Sequence, residues 1–115
     1  MRTICFQFQR RRAPALATEK VTMLMARIAA SQSEVIRFSI QKGQDRNLWV
    51  NYLFTAGNVN PIWKTLNSRA LHHRKWGGLL RKSAIVTTDG TRGWDNYLTL
   101  HHFDAAQALD RLAKI

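Results

Sequence analysis

The sequence contains no aspartate and no glutamate between residues 46 and 88. This acid-free stretch instead carries cations and aromatic rings, namely Arg46, Lys64, Arg69, Arg74, Lys75, Arg81, Lys82, Trp49, Tyr52, Phe54, Trp63 and Trp76. Cationic side chains neutralise phosphates and aromatic rings stack on bases. The stretch therefore favours a polyanionic partner, nucleic acid above all.

Cysteine and long apolar runs are also scarce. Cys5 is the only cysteine, which excludes a disulfide within the chain and a cysteine-based zinc site. A single cysteine fits a reducing compartment, so we expect a cytoplasmic protein. No apolar run approaches the about 18 residues that span a bilayer, and no membrane partner is expected.

The sequence lacks the short motifs of common enzymes: a phosphate-binding glycine loop, GxSxG and HExxH. The pairs His72/His73 and His101/His102 have no metal-ligand spacing, and neighbours in a strand point to opposite faces. We therefore expect no catalytic residues, no metal and no cofactor. Metal-independent RNA cleavage by a histidine beside an arginine stays a third alternative.

Positive charge is abundant. The 115 residues contain 18 lysines and arginines against seven acids, a formal net charge of +11. Most cations therefore cannot be paired within the chain. Three interpretations follow: a solvated basic surface, a nucleic-acid partner, or an acidic protein partner.

The first 18 residues contain four arginines and no acid, and they lack the apolar core of a secretory signal. We expect residues 1–17 to be a flexible basic extension and residues 18–115 to be a single α+β domain. The alternatives are an edge strand from Thr3 to Gln9 and a vestigial extension ahead of the folded unit.

Periodicity predicts the elements of that domain. Val21, Leu24, Met25 and Ile28 form one stripe of a first helix that starts at Thr18. The other predicted elements are strands at 34–40 and 47–54, a helix from Asn60-Pro61 that is over by Gly77-Gly78, strands at 83–88 and 94–103, and a last helix capped by Asp104, in which Ala113 faces inward. Turns are expected at 41–46 and 89–93. Ile36 is expected to share one face of its strand with Phe38 and Ile40, and the apolar face of the next strand is expected to carry Leu48, Val50, Tyr52 and Phe54. The expected fold is α-ββ-α-ββ-α, a four-stranded, mostly antiparallel sheet with helices on one face.

This order of elements resembles the core of LAGLIDADG homing endonucleases, which are basic and grip DNA with a saddle-shaped sheet. Those enzymes place a metal-binding acid at the end of the first helix, whereas residues 24–31 here contain none. The resemblance, which is one of topology, implies DNA binding without metal-dependent cleavage.

Two groups of residues are the candidate site. Phosphate contacts are expected from cations that follow the second helix: Arg69, Arg74, Lys75, Arg81 and Lys82. An open sheet face is expected to carry Arg37, Trp49, Tyr97 and His101, with Asn51 and Thr99. Helix-end electrostatics would explain Arg69 without a ligand, and a dimer interface would explain the two rings.

The function expected from these features is non-catalytic binding of RNA or single-stranded DNA. The main alternative is a protein-interaction module, either a homodimer or an inhibitor of an acidic partner.

Overall fold

The computed structural model describes residues 1–43, 48–90 and 93–112, and its strands form one antiparallel sheet. In the described residues there are five strands: β1 (Arg2–Gln9), β2 (Val35–Lys42), β3 (Trp49–Ala56), β4 (Ala84–Gly90) and β5 (Gly93–His101). The α+β class is confirmed. The predicted four strands are one too few, because the chain begins with a strand.

That strand, β1, lies at the centre of the sheet, whose order is β2-β3-β1-β4-β5. It pairs with β3 on one side and β4 on the other, and Ile4, Phe6 and Phe8 are fully buried. Residues 2–9 therefore form a central strand, whereas the sequence predicted a flexible extension over residues 1–17. Alternation of apolar and polar side chains drives this placement, since it suits a strand with one buried face.

The helices connect the strands across one face. They are α1 (Thr18–Ser31), α2 (Asn60–Thr65), which continues as a π-helical segment (Leu66–Leu71), and α3 (Gly77–Arg81). The path from β1 to β4 is the split β-α-β arrangement of ferredoxin-like folds, extended by β5. The order of the elements therefore differs from the α-ββ-α-ββ-α order on which the resemblance to LAGLIDADG cores was based. None of the described helices is long and apolar enough to cross a membrane.

The core lies between the helices and one sheet face. As predicted, Val21, Leu24, Met25 and Ile28 of α1 are buried, and so are alternate residues of β3, from Val50 to Phe54. Tyr52 is fully buried, and its hydroxyl is hydrogen-bonded to the Thr22 hydroxyl at 2.7 Å. This contact satisfies the polar end of a buried ring and fixes α1 on the sheet.

One predicted helix, the last, is wrong. No helix forms in residues 104–112; there Asp110 bonds the edge of β5, donating its N–H to the Thr99 carbonyl at 2.7 Å and accepting the Thr99 N–H at 2.8 Å. The helix predicted from Asn60 is over by Gly77, as expected, since its π-helical part ends at Leu71. Gly77 and Gly78 begin α3, a short helix that was not predicted, and a Cβ at Gly77 would lie 2.9 Å from the Leu71 carbonyl oxygen. The predicted turns at 41–46 and 89–93 lie partly outside the described residues, and the predicted core residue Ala113 lies outside them.

Candidate nucleic-acid interface

The sheet face that the helices leave uncovered is mostly polar, and we call it the open face. Register places on it the polar side chains of Thr3, Gln7, Gln9, Arg37, Ser39, Gln41, Asn51, Thr55, Thr87 and Thr99, together with the side chains of Cys5, Trp49, Leu53 and Ile85. The carboxylates of the described strands are Asp89, which pairs with Arg2 at 3.5 Å, and Asp95. The open face is thus a polar surface with few negative charges.

Side chains of the open face form a hydrogen-bonded row that we call the amide row: Arg12, Gln9, Gln7 and Asn51. Arg12 Nε donates to Gln9 Oε1 at 3.0 Å, and Gln9 Nε2 donates to Gln7 Oε1 at 2.9 Å. Gln7 Nε2 in turn donates to Asn51 Oδ1 at 3.0 Å. The row therefore runs from β1 onto β3.

Chemistry fixes the direction of the amide row. A guanidinium has only donors, so Arg12 must meet the oxygen of Gln9. The nitrogen of Gln9 then faces Gln7, whose oxygen must accept, and the same reasoning applies at Asn51. Each bond polarises the next, so the row ends at an Asn51 amide whose N–H groups are strengthened donors. Such a row suits a ligand that is rich in acceptor atoms.

The charged end of the amide row is anchored. The Arg12 guanidinium carbon lies 3.5 Å from the centre of the Phe103 ring, a cation–π contact. Phe103 follows β5, so this contact ties the chain after β5 to the end of β1. Arg12 is thereby held in place to polarise Gln9.

The predicted phosphate-binding cations lie on the helix side of the sheet and at its end. Arg69, Arg74, Lys75, Arg81 and Lys82 are all exposed. Arg69 donates to the Ser31 hydroxyl at 2.9 Å, and the Arg81 guanidinium donates to the Leu71 carbonyl. Within the described residues the ion pair Arg2–Asp89 stands alone, so these cations have no carboxylate partner there. Four of them, Arg74, Lys75, Arg81 and Lys82, are called the cation cluster below.

Lys82 connects the cation cluster with the amide row along the chain. It precedes Ser83, whose carbonyl accepts the Gln9 N–H at 2.9 Å. The end of the cation cluster therefore lies beside the amide row, which the sequence alone did not indicate.

The two predicted stacking rings do not form one platform. Trp49 is paired with Gln9 at one end of the open face, whereas Tyr97 is on β5. Because β1 and β4 separate these strands, the rings are at least about 14 Å apart at ~4.8 Å per strand. Tyr97 is 57% exposed, but Trp49 is half-buried and packs on Gly43, where a Cβ would lie 2.8 Å from the indole. Tyr97 is the more accessible ring.

His101 lies on the helix side instead of the open face. A register shift pairs Thr99 with Thr87 but His101 with Val86, so the expected alternation ends after Thr99. The His101 Nε2 atom lies 3.1 Å from the Arg81 carbonyl oxygen. Burial lowers the pKa of His101, and the positive charges of His102, Arg81 and His72 lower it further, against the raising effect of that hydrogen bond.

This lowered pKa makes stability depend on pH. The unfolded chain binds a proton at His101 more readily than the folded protein, so the free energy of unfolding should fall as pH drops through about 6.5, the ordinary histidine pKa. We expect His101→Gln, which retains an N–H donor, to flatten this pH dependence. Urea unfolding at several pH values from about 7.5 to 5.5 measures it. Equal slopes in the two proteins would contradict the assignment.

The remaining reactive side chains give little support for catalysis. Cys5 is buried on the sheet between its register partners Leu53 and Thr87, and burial raises the pKa of its thiol to about 12. The thiol is therefore protonated at neutral pH and is a poor nucleophile. No group of three or more histidine, cysteine, aspartate or glutamate side chains placed to hold a metal ion occurs among the described residues.

Gln7, Gln9 and Arg12 are the residues that the sequence-based site omitted. The alternation of Ile4, Phe6 and Phe8 with Cys5, Gln7 and Gln9 was the available signal. Reading β1 as a strand would have placed both glutamines on the polar face.

Comparisons with known proteins found no relative: no family model, no curated protein and no solved structure matches this chain. The interface is therefore argued from its own residues.

Proposed function

We propose that this protein binds single-stranded nucleic acid, RNA or DNA, through the open face, and that it is a binding module without catalytic activity. The amide row is the observation that carries this proposal. It presents polarised N–H donors on a sheet face whose nearest strand carboxylate, Asp89, is already paired with Arg2. Base edges and phosphate oxygens are rich in the acceptors that such donors bind.

The cation cluster supplies the phosphate contacts in this proposal. Lys82 precedes Ser83, which is hydrogen-bonded to Gln9, so a strand that crosses the open face can leave the sheet along the exposed cations of the cluster. Arg37, at the opposite end of the open face, and Arg69 add to the positive field. Several unpaired cations along one path are what a polyphosphate chain requires.

Tyr97 supplies a stacking surface on β5. Its ring is 57% exposed, so it can take a base without rearrangement of the core. Trp49 borders the amide row and contributes one half-buried ring edge. A single strand can meet rings that are far apart, since its bases are unpaired and the backbone is flexible.

A single strand suits this surface better than a duplex. The helices lie on the opposite side of the sheet and pack their apolar faces on the core, so none is free to enter a major groove. A cytoplasmic location is part of the proposal, because a lone cysteine fits a reducing compartment.

Fluorescence anisotropy tests the proposal with labelled RNA, single-stranded DNA and duplex of about 16 nucleotides, the upper site size for one small domain. Binding should weaken steeply between about 50 and 200 mM salt. The double variant Arg74→Ala/Lys75→Ala should reduce the salt slope by about two, one for each lost phosphate contact. Tyr97→Ala should weaken binding by about 1–3 kcal/mol without changing that slope.

The matched control is Lys20→Ala/Arg27→Ala, which removes the same charge from exposed positions of α1. It should leave the slope unchanged. Absence of binding at low salt would end the nucleic-acid proposal. Equal losses in the control and in Arg74→Ala/Lys75→Ala would show that net charge, and not the cation cluster, attracts the nucleic acid.

A further inference from the structure

The two edges of the sheet are not equivalent. On β5, the backbone N–H and carbonyl of Thr99 both bond to Asp110, so the chain itself covers that edge at Thr99. On β2, residues 36–42 make no hydrogen bond to any described residue beyond their ladder with β3. An open edge of this length is a template for another strand.

The side chains of β2 are also poorly covered. Ile36 is 64% exposed at a register shift, and Ile40 is 42% exposed on the side that faces the helices. Met23 of α1 is 52% exposed. α1 contacts both β2 and β3, yet Met23 and Ile40 remain exposed and form an apolar strip next to the open edge.

This strip belongs to a cleft of about 940 Å³ between the start of α1 and the ends of β2 and β3. Leu16, Met23, Ile40 and Leu48 give its wall an apolar part. The charged side chains in the wall are Arg10, Arg11, Lys42 and Glu19. The three cations have no carboxylate partner within the described residues, so the cleft has an excess of positive charge.

Charge decides between possible occupants. A second copy would bring another chain of net charge +11 and place the cations of one β2 beside those of the other. Like charges at this distance oppose such a pair. A negatively charged strand would instead gain the edge hydrogen bonds and neutralise the cleft.

We infer that β2 and the adjoining cleft bind an extended acidic segment of a partner protein, which adds to the sheet as a sixth strand. This surface is the backbone edge of β2 and the cleft on the helix side of the sheet, and the inference does not depend on the proposed function. Alternate side chains of an added strand fall on one face of the sheet. On the helix side, an apolar side chain would lie next to Ile40 and a carboxylate next to Lys42.

The probe is a synthetic peptide of repeated Thr-Val-Thr-Glu, in which one face alternates valine with glutamate. We expect it to bind, and the same peptide with lysine for glutamate not to bind. Lys42→Glu should weaken binding about tenfold, because an attraction becomes a repulsion. Lys64→Glu, an equal charge change at an exposed position of α2, should leave it unchanged.

Backbone methylation separates strand addition from simple attraction. N-methyl groups on alternate residues block either the peptide edge that faces β2 or the edge that faces solvent. N-methyl groups on the edge that faces β2 should abolish binding, whereas those on the edge that faces solvent should not. Equal binding of both sets, an equal loss in Lys64→Glu, displacement of the peptide by an oligonucleotide, or a dimer formed through β2 would each overturn the inference.

Discussion

A chain that lacks residues 1–9 should lose cooperative unfolding. Deletion of these residues removes β1, which pairs with both β3 and β4, so the sheet would be left as two separate hairpins. Ile4, Phe6 and Phe8, all fully buried, would leave the core at the same time. An isolated hairpin is at best marginally stable in water. Circular dichroism during a urea titration should show no sigmoidal transition.

A point substitution provides the graded version of this test. Phe6→Ala should destabilise the full chain by about 3–5 kcal/mol, the range for a fully buried phenylalanine. Met23→Ala is the control, because Met23 is mostly exposed and its change should stay within about 0.5 kcal/mol. If the truncated chain still unfolds cooperatively with an unchanged midpoint, residues 1–9 are a flexible extension and not a central strand.

Gly90→Ala should destabilise the protein by about 3 kcal/mol, the upper end for overpacking. A Cβ at Gly90 would overlap the carbonyl oxygen of Asn96, which belongs to the backbone of β5 and cannot turn aside like a flexible side chain. The strand would have to move. Thermal or urea unfolding measures the loss.

Gly57→Ala is the matched control, because a Cβ there meets no atom within 4 Å. It should change stability by no more than about 0.5 kcal/mol. Similar losses at both positions would mean that the loss does not arise from the contact with Asn96.

The sequence predicted elements where one regular pattern continued without interruption. α1 and β3 have their apolar residues at the expected spacing, so their buried faces were correct. β1 has the same quality of pattern, but the arginines that follow it suggested a disordered arm. Local composition therefore outweighed periodicity at the one strand that tertiary pairing places in the centre.

Register shifts account for the misplaced side chains. The shift on β2 turns Ile36 outward, and the one on β5 turns His101 toward the helices. Neither position carries a glycine or another local signal of a bulge. The predicted C-terminal helix failed for a related reason: Asp110 satisfies the edge of β5, a contact that only the assembled sheet offers.

One part of the candidate site could be predicted from the sequence and the other could not. Exposure of the cation cluster followed from the lack of nearby acids, which is visible in the sequence. The amide row depends on the register of β1 with β3, which joins Gln7 to Asn51. Such a pairing between distant segments cannot be deduced from periodicity in either one.

The central position of β1 also bears on how the chain assembles during synthesis. Ile4 pairs with Phe54 and with Thr88, so both partners leave the ribosome long after β1 does. Contacts of such high sequence separation slow folding, because a long loop must close first. Until β4 has been made, one edge of β1 remains unpaired, and unpaired strand edges make a nascent chain prone to aggregation.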